Sequence, residues 1–280
     1  MLRLERGADS LVILPEAGGC ILGWTRDGVD LLRHPSPEAV IEMRPGAMGC
    51  FPLVPYCNRI GFRRFTWMGQ SYDLAANFGD HPHAIHGVGW KAVWRILEAG
   101  PDHAVLFLSH AADGEGARAW PFAFDATLSY RLNDDGLTIS LSATNRHSGP
   151  APMGLGVHPF FPRARDAGLT FQAGGVWITR DALPVQHVSV PSAWDHTSGR
   201  LVSNETLDHC FTGWTGIARL PGLTIEADAV FADLQVFTPA NADFFCVEPV
   251  SHPPDPFARN DIAALEPGET LSGHIRFTPV

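Results

Sequence analysis

His158 stands in the run Gly154-Leu155-Gly156-Val157-His158-Pro159-Phe160-Phe161, and Glu248 in Phe244-Phe245-Cys246-Val247-Glu248-Pro249. An imidazole between small residues and a proline-aromatic run reads as a proton-transfer group mounted at a strand end. A carboxylate closing an apolar strand costs free energy unless paired, and partial burial raises its pKa toward the range of a general base. Taken singly, a strand-end glutamate is more often a surface or paired residue, and a lone histidine is as often structural as catalytic. Together they supply two titrating groups with separate roles, which acid and base steps at neutral pH require.

Other residues offer binding chemistry. Asn58-Arg59-Ile60 follows a Gly/Pro-rich stretch, and the guanidinium of Arg59 presents several donors to sugar oxygens, a structural salt bridge being the alternative. Asp208, in Leu207-Asp208-His209-Cys210-Phe211, could accept from two vicinal hydroxyls or simply form a turn. His81-Pro82-His83-Ala84-Ile85-His86 has histidines at metal-ligand spacing but no acidic ligand follows, so no metal is expected. Eight tryptophans and seventeen phenylalanines could include a stacking platform for a pyranose ring, although most must be core.

Asn58-Arg59-Ile60, His83-Ala84-Ile85-His86-Gly87, the His158 run, Leu207 to Phe211 and Val247-Glu248-Pro249 follow one another in that order. The ordered set resembles the aldose 1-epimerase (galactose mutarotase) family. That resemblance implies an all-β, galactose mutarotase-like β-supersandwich of large antiparallel sheets with a sugar cleft. It implies cofactor-free interconversion of the α and β anomers of a free aldose. Glu248 would take the proton from the anomeric hydroxyl and His158 would protonate the ring oxygen. Arg59, His86 and Asn58 would hold the sugar near the ring oxygen, and Asp208 would hold more distant hydroxyls. The histidine context differs from the Asn-His-Ser-Tyr-Phe-Asn type of the best-known galactose mutarotases, so galactose itself is not assigned.

Three rivals stand beside this reading. A hexose-6-phosphate 1-epimerase would need a cationic pocket, for which Arg63-Arg64 and Arg163/Arg165 are the candidates. A non-catalytic sugar-binding or sensor protein would share the cleft and could dispense with Glu248. A cupin-like metalloenzyme would need the histidine cluster to hold metal.

The elements that must carry these residues read as strands. Phe122, Phe124, Ala126, Leu128, Tyr130 and Leu132 alternate with mostly polar residues, and after Asn133-Asp134-Asp135-Gly136 the alternation resumes at Leu137, Ile139, Leu141 and Ala143. This predicts an antiparallel hairpin. Further strands are expected at 62–67, 71–74, 104–109, 169–173, 223–227, 234–238, 244–247 and 272–278. No stretch sustains a helical apolar face, and 28 Gly with 23 Pro punctuate the chain. With no repeat or linker, one continuous domain over 1–280 is expected.

A net charge of -10 and no long basic run leave no footprint for nucleic acid or an anionic membrane. Charges at Arg3, Glu5, Arg6, Asp9 and Glu16 break any leader-like apolar run, which reads as cytoplasmic. The expected partner is a small neutral monosaccharide, with a monomer or homodimer both open. Five cysteines without a C-x-x-C pair read as buried free thiols.

Overall fold

Alternating burial organises the chain. In the strand Phe124–Asn133 every second residue from Phe124 to Leu132 is buried, and Gly136–Asn145 returns beside it in full register, Phe124 facing Asn145 and Asn133 facing Gly136. The hairpin predicted from sequence is present, its turn tightened to Asp134 and Asp135 between the last ladder pair. The structure, a computed structural model, describes residues 1–164, 167–202 and 205–280. About 51% of the chain is strand and about 10% helix, which makes the fold all-β. Among the described residues no helix is long and apolar enough to cross a membrane.

Two large antiparallel sheets hold the core. The nine-stranded sheet runs Arg95–Ala99, His103–His110, Phe124–Asn133, Gly136–Asn145, Thr270–Pro279, Leu223–Ala227, Ile217–Leu220, Gly168–Phe171 and Arg200–Leu201. The eleven-stranded sheet runs from Leu2–Arg6 through Asp9–Leu14, Cys20–Arg26, Cys50–Leu53, Gly156–Pro162, Phe244–Val250, Asp233–Thr238, Leu207–Thr212 and Gly175–Arg180 to Leu183–Val188, with Val29–Asp30 pairing to one side. Side chains such as Leu128, Leu141, Ile275, Val157, Phe211, Phe245 and Val247 share the main core.

The middle of the larger sheet is buried on both faces. Val157, Phe161, Phe245 and Val247 join the main core, while Phe51, Phe160, Cys210 and Cys246 enter a second cluster with Ile85 and Trp90. All five cysteines are free and buried, as expected from their spacing.

Three local expectations need correction. His158 and Glu248 do not end strands but lie inside Gly156–Pro162 and Phe244–Val250. Asp208 belongs to no turn, sitting second in Leu207–Thr212. Phe62 precedes its strand, which begins at Arg64, because Phe62 and Arg63 adopt left-handed φ of 50° and 60°.

Prolines hide the first two strands from pattern reading. The ladder between them pairs Gly156 with Val250 and then Phe160 with Cys246; Pro159 and Pro249, lacking an N–H, fall in the interval. Continuing that register sets His158 opposite Glu248. Each missing ladder bond costs about 1 kcal/mol. Burying residues such as Phe160, Phe161, Phe245 and Val247 returns about 1.5–3 kcal/mol apiece, so the strands continue through the prolines.

Candidate active site

Four strands of the larger sheet and one small ribbon line a single cleft. The ribbon pairs Arg59–Ile60 with Ala84–Ile85, and the His86 N–H donates to the Asn58 carbonyl at 2.8 Å. Asn58 and His86 flank the ribbon with φ of 52° and 61°, a left-handed conformation that aims both residues away from the strand direction and is held by the surrounding structure. Gly87 continues the turn at φ 74°, where any Cβ would run into the Val54 carbonyl. That carbonyl also accepts from the Val88 and Gly89 N–H groups. The glycine after His86 is therefore a packing requirement of the ribbon's close approach to the sheet.

Asn58, Arg59, His86, His158, Asp208 and Glu248 all line one cavity of about 200 Å³. Sequence reading missed two further lining residues, Phe78 and Phe237, and gave His81 and Ile85, which also line it, no part in binding. It also missed Gln235, which faces Glu248 in the ladder and is buried. A glutamine inside the apolar run of Asp233–Thr238 is a usable signal, since a buried amide must find partners. Phe78 carries no such signal in its loop.

Along one side of the cleft the polar groups bond to one another. Asp208 Oδ2 accepts from Arg59 at 3.0 Å and its Oδ1 accepts from the Gln235 amide at 2.6 Å, while Arg59 also donates to Asn58 Oδ1 at 3.1 Å. Arg59 and Asp208, singled out separately as sugar-gripping groups, are thus each other's ion-pair partners, about a fifth to a quarter exposed.

The other side is apolar and nearly closed to water. His158 is 8% exposed and Glu248 2%, with His158 Nε2 lying 3.4 Å from Glu248 Oε1. The imidazole stacks on Phe160 at 4.6 Å, packs against the tilted Phe51 ring at 4.6 Å and meets His86 edge-on at 5.2 Å. Burial, then the nearby negative charge of Asp208, pushes the Glu248 carboxyl well above its ordinary range, against the opposing charge of Arg59. Burial, then the positive charges of Arg33 and Arg59, pushes His158 down to about 3. Burial likewise holds His86 well below the usual histidine value, with the neighbouring His158 adding to it. Burial thus biases both members of the central pair toward their uncharged forms. Among the described residues, Glu248 Oε2, His158 Nδ1 and His86 Nδ1 are buried without a hydrogen-bond partner.

The histidine cluster does not converge as a metal site would. His83 accepts from the Phe62 N–H and contacts the Asp181 carbonyl, and His81 Nδ1 accepts from the His83 N–H. Among the described residues the three metal-type donors that do meet, within 4.8 Å, are His158, Cys246 and Glu248. Burial keeps that thiol protonated. Of the phosphate-pocket candidates, Arg63, Arg64 and Arg163 do not line the cavity, Arg64 pairing with Asp73 and Arg163 donating to the Pro239 and Ala242 carbonyls, while Arg165 lies outside the described residues.

The two-sheet β fold thus sets a buried His158–Glu248 pair in a cavity lined by polar and aromatic side chains. The chain belongs to the aldose 1-epimerase family, whose sequence model matches residues 1–278. It is 31% identical to the uncharacterized Escherichia coli protein YphB, over 93% of this chain and 92% of that one. Similarity to the Escherichia coli aldose 1-epimerase is 26%, over 74% of this chain and 63% of that enzyme. Among solved structures, an Escherichia coli protein provisionally described as an aldose 1-epimerase superposes with a TM-score of 0.89 at 30% identity, covering 99% of this chain and 98% of its own. A galactose mutarotase-like protein from Clostridium acetobutylicum shares the fold, with a TM-score of 0.85 at 19% identity over 99% and 95% of the two chains.

Proposed function

We propose that this protein is an aldose 1-epimerase acting on a free, unphosphorylated aldose. The observation that carries the reading is the opposed pair His158 and Glu248, buried at the floor of the cavity that also gathers Asn58, Arg59, His86 and Asp208. Proton transfer across their contact converts the resting pair into carboxylate and imidazolium, the charged form gaining hydrogen bonds from entering sugar hydroxyls. Glu248 then takes the proton of the anomeric O1 hydroxyl. The C1–O1 bond becomes a carbonyl, the bond between C1 and the ring oxygen breaks, and that oxygen takes the proton from His158. Rotation about C1–C2 and reclosure by the reverse transfers give the other anomer.

Positioned proton transfer of this kind contributes about two to four orders of magnitude per group, and nothing else in the scheme needs a stronger catalyst. Arg59, already ion-paired to Asp208, adds no net cation to the cavity, and Arg63, Arg64 and Arg163 do not line it. That supports a neutral sugar over a phosphorylated one.

The test is anomer exchange, followed by polarimetry or NMR, across free and 6-phosphorylated aldoses including pentoses and deoxy sugars. Acceleration over the spontaneous rate is expected for at least one free aldose. Acceleration confined to 6-phosphates would overturn the substrate class, and sugar binding without turnover would make the protein a sensor.

A further inference from the structure

Behind His158 runs a ladder of planar groups that ends in a partly buried cation. Phe160 stacks on His158 at 4.6 Å with the planes 14° apart. The guanidinium of Arg33 lies 4.1 Å from the centre of that same Phe160 ring and 4.3 Å from Phe244. Arg33 is anchored by neutral groups: its side chain donates to the Gly46 and Met48 carbonyls at 3.1 Å, and its own N–H donates to the Phe160 carbonyl at 2.8 Å. Among the described residues no carboxylate pairs with it, Asp243 acting only at longer range. Its Nε is buried with no hydrogen-bond partner.

That placement is costly for packing alone. A partly buried guanidinium held by carbonyls and rings, with no carboxylate paired to it among the described residues, loses hydration that an aliphatic side chain would not have to give up. The other cation near His158 is Arg59, whose charge is already met by Asp208. The remaining groups around the imidazole are Glu248 and Cys246 on the facing strand, His86 on the ribbon turn, and Cys50 beside Phe51. Burial keeps both thiols and His86 uncharged. Arg33 is thus the one uncompensated charge bearing on the imidazole among the described residues.

We propose that Arg33 is a positioning residue for His158, its charge acting through the stacked Phe160 ring to hold the resting imidazole neutral and to make the transient imidazolium a stronger acid. The benefit falls on the ring-oxygen step, because an ether oxygen is a weak base and needs a strong donor. Arg33 touches neither sugar nor reacting atoms in this scheme, and the inference rests on His158 being the acid proposed above.

The direction of the effect follows from the pair holding one proton in the proposed mechanism. Removing a positive charge stabilises every more protonated state, so both limbs of the pH profile should move to higher pH together. A unit charge two stacking distances away, at an effective dielectric of about 20, corresponds to about one pH unit, or about tenfold in proton affinity. The experiment compares wild type with Arg33→Met, Arg33→Gln and Arg33→Lys by the pH dependence of kcat/KM and by the 15N titration of His158. Glutamine keeps a donor for the Gly46 and Met48 carbonyls should methionine unfold the loop.

Expected are limbs raised by about one unit in the neutral variants and wild-type positions in the lysine variant. Unmoved limbs with reduced activity, or an equal shift in Arg33→Lys, overturn the proposal. In wild type the coupling must be mutual, so the Arg33 Nε resonance should follow the His158 titration, and no response there overturns it without any variant. Should no aldose be turned over, the epimerase reading falls while the NMR titration still decides the role of Arg33.

Discussion

The two sides of the cleft are built on opposite principles. On one, Asn58, Arg59, Asp208 and Gln235 bind one another before any ligand arrives. On the other, His158 and Glu248 meet at 3.4 Å among aromatic rings, with Glu248 Oε2 left without a hydrogen-bond partner among the described residues. The first is preorganised, so a sugar finds hydrogen-bonding groups already in place. The second keeps bonding capacity in reserve, and its dryness shifts both proton affinities toward neutrality. In the proposed mechanism, binding and proton transfer thereby fall to different chemical environments within one cavity.

The largest effect should come from breaking the dry side. Glu248→Gln and His158→Asn should each lower kcat by at least about a hundredfold, the scale of a lost positioned proton transfer, while sugar binding measured by calorimetry survives. The double variant should be little worse than either single one, because one broken transfer already stops the exchange. Near-wild-type turnover in Glu248→Gln would end the proposed mechanism.

Asp208→Asn strikes the bonded side and should raise KM by about tenfold with a smaller fall in kcat, as expected when uniform binding is lost. Arg59→Met should do the same, and the two together should fall well short of additive since they share one ion pair. A kcat loss as large as that of Glu248→Gln would erase the division between the sides. The smallest change is expected at the rim, where Phe78 is 47% exposed and lines the cavity. Phe78→Ala should cost about threefold in KM, a modest stacking contribution, with kcat unchanged.

The same contrast explains what was legible beforehand. The hairpin from Phe124 to Asn145 could be read directly because each strand has one buried face and one more open face. The strands bearing the chemistry are buried on both faces, so Phe244 to Val250 reads as an apolar run whose end cannot be placed, and the prolines suggested ends that the fold does not have. The six site residues were found as an ordered set of motifs, not by periodicity. Their meeting depends on strand order, with Gly156–Pro162 set between Cys50–Leu53 and Phe244–Val250 from distant parts of the chain. Gln235 and Arg33 escaped because each acts through a neighbour: one across a ladder pair, the other through a phenylalanine ring.

Pro159 and Pro249 give the paired strands a seam with mechanical meaning. Between Gly156/Val250 and Phe160/Cys246 the backbones are not laced together by the donors these residues lack. Proton transfer needs the heavy atoms of His158 and Glu248 to close from 3.4 Å to about 2.7–2.9 Å, the span of a strong charge-assisted hydrogen bond. At a laced position that closing would compress two backbone hydrogen bonds in step with the side chains. At this seam two bonds that would resist the closing are missing while the ladder on either side stays intact, so in the proposed mechanism the proton crosses where the paired strands are least tied together.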